Sequence, residues 1–389
     1  MNKRPRAAYI HIPFCVSKCW YCDFSSYPGL EPIFEDYARA LISEIERAGY
    51  GARSGRSPSR PGVDDGLDSV YFGGGTPTML SASELSRVLS AISCNLGVRD
   101  NAEITIEANP GTVDEAKLRE LREAGFNRLS LGVQSFDDEF LRSIGRVHTR
   151  TQALDAYDAA RSAGFTNVGI DLIFALPGQT VAHWSRTLDT AIELSPEHIS
   201  LYELSIEEGT RFAELCAEGT IEPIDEDARV AMYELAIAKL ASAGYEHYEV
   251  SNFALPGFRS RHNTVYWLNE PHYGFGAGAT SYIGGTRASR VTDPRQYIAA
   301  VSSGADAIES SETLDARAHL GETMIMGLRM LEGVDLARAQ RDTGLDPARE
   351  FAPQIAMLTK RGLVELIDGR LRVTHTGLLL LNDVSREFV

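Results

Sequence analysis

The sequence lacks any apolar run approaching the ~18 residues of a membrane-spanning helix. Its basic first residues, Met1 to Ala8, flow straight into Tyr9-Ile10-His11-Ile12-Pro13, with no apolar signal core between them. These absences read as a cytoplasmic protein without a membrane span. Positive charge is short as well: 38 Lys and Arg face 54 Asp and Glu, for a formal net charge of −16. That balance argues against broad binding to nucleic acid, which needs a basic footprint. Cysteine is scarce and odd in number, five in 389 residues, which argues against a disulfide scaffold. Three of the five, Cys15, Cys19 and Cys22, crowd into eight residues, which in a reducing compartment suggests metal or redox chemistry. Cys94 and Cys216 lie in apolar helical patterns and read as inert core residues.

What is present is an ordinary globular composition, 43% hydrophobic and 24% charged, long enough for two or three domains. From residue 7 to about 206 strand-like and helix-like segments alternate. The strand candidates are Tyr9–Phe14, Ser69–Phe72, Glu103–Glu107, Arg128–Val133, Val168–Phe174 and Ile199–Leu204. Several are apolar nearly throughout, as parallel strands buried on both faces are. Four helices are expected to close on the same words: Ala48-Gly49-Tyr50, Ala124-Gly125-Phe126, Ala163-Gly164-Phe165 and Ala243-Gly244-Tyr245. Capping-box spacing marks two helix starts, Ser81…Glu84 and Thr112…Glu115. Repeated βα units imply a parallel sheet with right-handed crossovers; six suit an open, partial (β/α)6 barrel, and a doubly wound sheet is the alternative. Ala52–Asp65, rich in Gly, Arg, Ser and Pro, reads as a mobile surface loop. A second compositional break spans Gly284 to Leu314. Beyond it come helices (His319–Leu331, Leu336–Thr343, Glu350–Arg361), a hairpin turning on Asp368-Gly369, and a last helix from Thr376. That order resembles a winged helix. A DNA-binding regulator fits poorly, because from Asp315 onward ten Lys and Arg face eleven Asp and Glu.

The cysteine loop follows the first strand directly. Three thiolates leave one iron of a cubane without a protein ligand, whereas ordinary electron-transfer clusters take four cysteines. A structural zinc site is the other reading; it wants four ligands, and His11 is the near neighbour able to serve. C-x3-C-x2-C in this place resembles the signature of radical S-adenosylmethionine (SAM) proteins. The resemblance implies a [4Fe–4S] cluster on Cys15, Cys19 and Cys22, with the methionine end of SAM on the open iron. It also implies an electron donor such as flavodoxin or ferredoxin, to cleave SAM to a 5′-deoxyadenosyl radical.

Later strand ends supply groups a zwitterionic nucleoside ligand would need. Gly73-Gly74-Gly75-Thr76-Pro77 follows the second strand and is not a dinucleotide fingerprint. Glu107 ends the third strand, Gln134 the fourth, and Asp171 interrupts the apolar fifth. A carboxylate there is costly unless it has a partner or faces a polar cavity, and βα folds place ligands at this side of the sheet. Together with Leu176-Pro-Gly-Gln-Thr180, these segments resemble the radical SAM subfamily of HemN-type coproporphyrinogen dehydrogenases and HemW-type heme chaperones. Motif by motif, the family's SAM contacts fall on Tyr9, Tyr21, Gly74, Gly75, Thr76, Glu107, Gln134, Arg146 and Asp171. Arg146 is the expected partner of the cofactor carboxylate. The implied domains are 1–285, a partial barrel with cluster and SAM site; 286–314, a linker; and 315–389, a winged-helix-like HemN C-terminal domain.

Three features separate the two branches. HemN-type enzymes carry a fourth cysteine where this chain has Phe24, and a long N-terminal extension where fourteen residues precede Cys15. His262-Asn263-Thr264-Val265-Tyr266-Trp267 resembles the H-N-x-x-Y-W motif of HemW-type proteins. His262 becomes the candidate heme-iron ligand, with Tyr266 and Trp267 as flat contact surface. The resemblance thus implies a heme-binding protein that passes heme to acceptor proteins. Its alternative is an enzyme of radical oxidative decarboxylation, acting on porphyrinogen propionates. Ala277 and Thr280 stand where relatives often have Pro and His, a departure expected to affect the barrel mouth.

Overall fold

The computed structural model describes residues 3–53 and 66–389. Six βα units open the chain: β1 (Ala7–Ile12), α1 (Phe34–Arg53), β2 (Leu67–Gly74), α2 (Ala82–Asn95), β3 (Val98–Ala108), α3 (Glu115–Ala124) and β4 (Arg128–Gln134). They continue through α4 (Asp138–Ser143), α5 (Arg150–Ser162), β5 (Val168–Phe174), α6 (Val181–Leu194) and β6 (His198–Glu203). The six strands pair in parallel and in sequence order, β1 to β6. A doubly wound sheet reverses its order at a switch point; this one does not, so the partial barrel is the architecture.

Alternation along each strand builds two environments. Val70 and Phe72 of β2 and Ile106 of β3 enter the large core with Leu41, Leu85 and Leu121 of the covering helices. The opposite face carries Ser69, Thr105, Arg128, Ser130, His198 and Ser200, all buried and polar. The barrel interior is therefore wired by hydrogen bonds and charge rather than filled with aliphatic side chains.

Helix ends follow expectation in three of the four places. Gly125, Gly164 and Gly244 all take positive φ, and the next aromatic N–H returns to the last turn. Gly49 does not end its helix; α1 runs on to Arg53. A Cβ at Gly49 would stand 2.8 Å from Asn95 Cβ, so this glycine lets α1 and α2 approach. Ala52 and Arg53 of the expected loop thus belong to a helix, and 54–65 lie outside the described residues. The Ser81–Glu84 capping box is present. The Thr112 one is not: Asp114 caps α3 by accepting from Lys117 N, while the Thr112 hydroxyl donates to Asn109 O.

After β6 come α7 (Arg211–Ala217), α8 (Glu226–Ser242), β7 (Glu246–Glu249), β8 (Asn252–Ala254), α9 (Arg261–Trp267), β9 (His272–Phe275) and β10 (Thr280–Ile283). The expected linker 286–314 is instead β11 (Thr286–Arg290), α10 (Pro294–Ser302) and β12 (Ile308–Thr313). Both strands extend the main sheet, whose order is β12-β11-β10-β9-β1-β2-β3-β4-β5-β6-β8-β7. They escaped the sequence because β12 is exposed throughout and β11 half-buried, so neither shows an apolar pattern. The sheet does not close into a full barrel.

The last domain comprises α11 (Ala316–Gly327), β13 (Val334–Asp335), α12 (Leu336–Thr343), α13 (Pro347–Glu350) and α14 (Ala352–Lys360). It ends with β14 (Val364–Ile367), β15 (Arg370–Val373), α15 (His375–Leu379) and α16 (Leu381–Arg386). The hairpin turns on Asp368 and Gly369, both at positive φ, as a two-residue type I′ turn requires. Helices, hairpin and a separate apolar core make it winged-helix-like. Among the described residues no helix is long and apolar enough to cross a membrane.

Candidate cluster and cofactor site

A cavity of about 560 Å³ opens at the C-terminal ends of the parallel strands. Cys15, Cys19 and Cys22 line one wall. Their loop is closed at its base, where Tyr27 N donates to Pro13 O (2.7 Å) and Cys15 N to Tyr27 O (3.3 Å). It is tied sideways by Trp20, whose N–H donates to Ile144 O and whose carbonyl accepts from Phe212 N. Each thiol has a polar neighbour: Thr76 Oγ1 lies 3.5 Å from Cys15, Ser26 Oγ 3.9 Å from Cys22, and Arg146 Nη1 donates to Cys19 Sγ at 3.5 Å. Burial pushes the Cys15 and Cys22 thiols up, so a metal must displace their protons.

These donors suit an iron–sulfur centre, which takes cysteine thiolates. Among the described residues no three His, Cys, Asp or Glu side chains gather closely enough to hold a single metal ion. His11 gives no help to the zinc reading. It lies outside the cavity lining, and its ring nitrogens face Tyr9 OH and Ser25 O, each at 3.1 Å.

Of the predicted SAM contacts, Tyr21, Gly74, Gly75, Thr76, Glu107, Gln134, Arg146 and Asp171 line this same cavity. Tyr9 does not; its ring stacks on Tyr71 behind the wall. Gly74 sits at φ 112 with the His11 ring 2.6 Å from where a Cβ would be, so its freedom serves the protein's own packing first. Burial pushes Glu107 up to about 7, while Tyr71 OH (2.6 Å) and Gly74 N (3.2 Å) bind its two oxygens. Asp171 is also pushed up by burial and accepts from Ser130 Oγ at 3.1 Å. Gln134, a non-glycine residue at φ 66, ends β4 in a left-handed conformation beside a register shift. Such strain clusters at ligand sites.

Asn109 and His148 are among the lining residues that escaped the sequence reading. Asn109 joins Thr76 Oγ1 (2.7 Å) to Arg146 Nη2 (2.6 Å); its signal was its place two residues beyond Glu107. His148, two residues beyond Arg146, donates from Nε2 to Val133 O (3.1 Å), and burial pushes it down to about 4. Two expectations shift. Cys94 is exposed and Cys216 half-buried, so neither is a core residue. Ala277 and Thr280 lie at the β9–β10 turn, bonded to Tyr37 OH and Ser289 Oγ, outside the cavity lining.

The heme candidates lie elsewhere, on α9. His262 is 1% exposed, with Nδ1 3.0 Å from Ser69 Oγ and Nε2 2.9 Å from Tyr266 OH. Burial holds it neutral, at about 3. Neither ring nitrogen is open to a metal in this conformation. Trp267 packs under the Arg329 guanidinium at 4.6 Å.

Parallel strands carrying a three-cysteine loop and a polar cavity at their C-terminal ends define a radical SAM fold. The model of the radical SAM superfamily matches residues 9–191, and that of the HemN C-terminal domain residues 314–380. The protein named heme chaperone HemW in Bacillus subtilis is 37% identical over 99% of both chains. That of Lactococcus lactis is 36% identical over 100% of this chain and 98% of its own, and that of Escherichia coli 33% over 99% and 98%. The solved coproporphyrinogen III oxidase HemN of Escherichia coli, a radical SAM enzyme, superposes with a TM-score of 0.82 at 27% identity, covering 99% of this chain and 90% of that one. The chain belongs to the radical SAM family of HemW-type proteins.

Proposed function

We propose that this protein is a heme chaperone. It carries a [4Fe–4S] cluster on Cys15, Cys19 and Cys22, binds SAM in the adjoining cavity, and passes heme to acceptor proteins in the cytoplasm. The observation that carries the reading is full-length similarity to proteins named heme chaperones, joined by Phe24 in place of a fourth cysteine. Phe24 is 62% exposed at the cavity edge, where it offers apolar surface instead of a thiolate. Cluster and SAM supply one-electron chemistry when bound, drawing on a reductant such as flavodoxin or ferredoxin. The chain's own residues do the holding. Arg146 can offer a guanidinium to the cofactor carboxylate, and Glu107 and Asp171 can accept hydrogen bonds from the cofactor's amino or hydroxyl groups. Heme ligation by His262 would require its hydrogen bonds to Ser69 and Tyr266 to open; Tyr266 and Trp267 remain candidate contact surface.

Anaerobic reconstitution followed by parallel assays tests the reading. The protein should hold about four irons and four sulfides, bind heme and deliver it to an apo-acceptor. Decarboxylation of coproporphyrinogen III by a protein that ignores heme would instead establish the dehydrogenase alternative, for which the HemN-like fold is the favouring observation.

A further inference from the structure

Glu107 is held by groups that the cofactor reading leaves unused. Tyr71 OH donates to Oε1 at 2.6 Å. Tyr71 in turn lies face to face with the His262 imidazole, centroids 5.0 Å apart and planes 29° apart. That imidazole is pinned at both nitrogens, by Ser69 and Tyr266, and the His262 backbone N–H donates to Glu103 at 3.1 Å. Neither Tyr71 nor His262 lines the cavity. Gly73 completes the arrangement: a Cβ there would stand 2.8 Å from the Tyr71 ring and 3.1 Å from the Glu107 carboxyl.

We propose that Tyr71 and His262 are positioning residues for Glu107, the imidazole fixing the phenol and the phenol O–H holding the carboxylate ready to accept from a cavity ligand. The proposal rests on the cofactor reading above, and it turns the His262 motif toward the SAM side of the protein. A buried carboxylate stays ionised only if donors and cations outweigh its loss of water. Burial raises Glu107 and Asp171 pushes it further, while Tyr71, Gly74 N–H and Arg128 pull it back. The phenols of Tyr9, Tyr202 and Tyr266 also face it. Near neutral pH the Tyr71 hydrogen bond therefore favours Glu107 as an acceptor over the protonated donor.

Isotope-edited infrared spectroscopy of the Glu107 carboxyl band, identified by its loss in Glu107→Gln, tests this without cofactor; SAM isotherms across the neutral range accompany it. In the parent protein the band should titrate at about 7. Tyr71→Phe should move the midpoint up by about one unit and weaken SAM binding at neutral pH about tenfold, with recovery in alkali. His262→Ala should move it the same way, and the double variant should be no worse than Tyr71→Phe alone. Iron content and thermal midpoint report folding; should His262→Ala fail to fold, His262→Gln, which can keep the Ser69 bond, takes its place. An unmoved midpoint in the Tyr71 and His262 variants overturns the proposal. A moved midpoint in a protein that never binds SAM sinks the cofactor reading and leaves the positioning role standing. A changed heme spectrum in His262→Ala with the Glu107 midpoint unmoved overturns the His262 role in favour of iron ligation.

Discussion

Arg146 donates to Cys19 Sγ, to Asn109 Oδ1 and to Gly132 O, so one guanidinium joins the cysteine loop to the ends of β3 and β4. Asp171 lies across the cavity with Ser130 as its partner. Losing a hydrogen bond to a charged group costs about 1.5–3 kcal/mol, roughly 10- to 150-fold in affinity. Arg146→Ala and Asp171→Ala should each weaken SAM binding by that much in titration calorimetry, with iron content kept; unchanged affinity in both would move the site elsewhere. The thiols divide just as sharply. Cys15→Ala, Cys19→Ala or Cys22→Ala should leave reconstituted protein without the absorption of an iron–sulfur cluster. Cys94→Ala, on the exposed side of α2, should not.

Helix starts show how much of an element rests on a single side chain. Ser81 and Glu84 satisfy each other's backbone N–H groups at the start of α2, and Asp114 does the same work alone for α3. Ser81→Ala and Asp114→Ala should each lower unfolding free energy by about 1 kcal/mol in chemical denaturation. Thr112→Ala should spare the cap and loosen the Asn109 turn instead, since its hydroxyl serves that carbonyl. The element scale is also where sequence and structure part. The parallel strands are legible because burial writes an almost unbroken apolar run into Val168–Phe174 and apolar residues at every second place in Arg128–Val133. Strands β11 and β12 are not, because their partners are neighbouring strands while their side chains meet water. Much of the cavity was legible by resemblance, whereas Tyr71 and His148 were hidden. A tyrosine in an apolar strand and a histidine in a turn announce no partner until the fold supplies one.

Across the whole molecule, burial keeps histidines neutral. His148, His247 and His272 are pushed down to about 4, and His262 to about 3. Unfolding returns each to about 6.5, so the unfolded chain binds more protons below that value, and their contribution to stability fades as pH falls from about 6.5 toward 4. Glu107 and Glu249, both pushed up to about 7 by burial, oppose this, since the folded state keeps their protons between about 4.5 and 7. His11, His198 and His319 are lowered as well, and Asp171 and Glu322 raised, so seven imidazoles stand against four carboxyls. The thermal midpoint of cluster-free protein should therefore be lower at about pH 5 than at about pH 7. A midpoint that rises on acidification would mean that the imidazoles are protonated in the native state.

The unclosed sheet has a further consequence. A closed barrel has no end strand, but here β12 and β7 are the termini of one continuous ladder, and unzipping begins where a ladder has a neighbour on one side. Amide hydrogen exchange should be fastest in β12, intermediate in β9 and β10, and slowest in β2 to β5, where release awaits global unfolding. Glu107 then hangs from the segment that opens last, with the cluster loop on β1 beside it and α9 packed on β2, while the winged-helix-like domain meets β7, an end strand, through Val250 and Leu331. Any traffic through the protein that needs backbone to part would pass at the flank of the sheet, leaving the cofactor cradle shut.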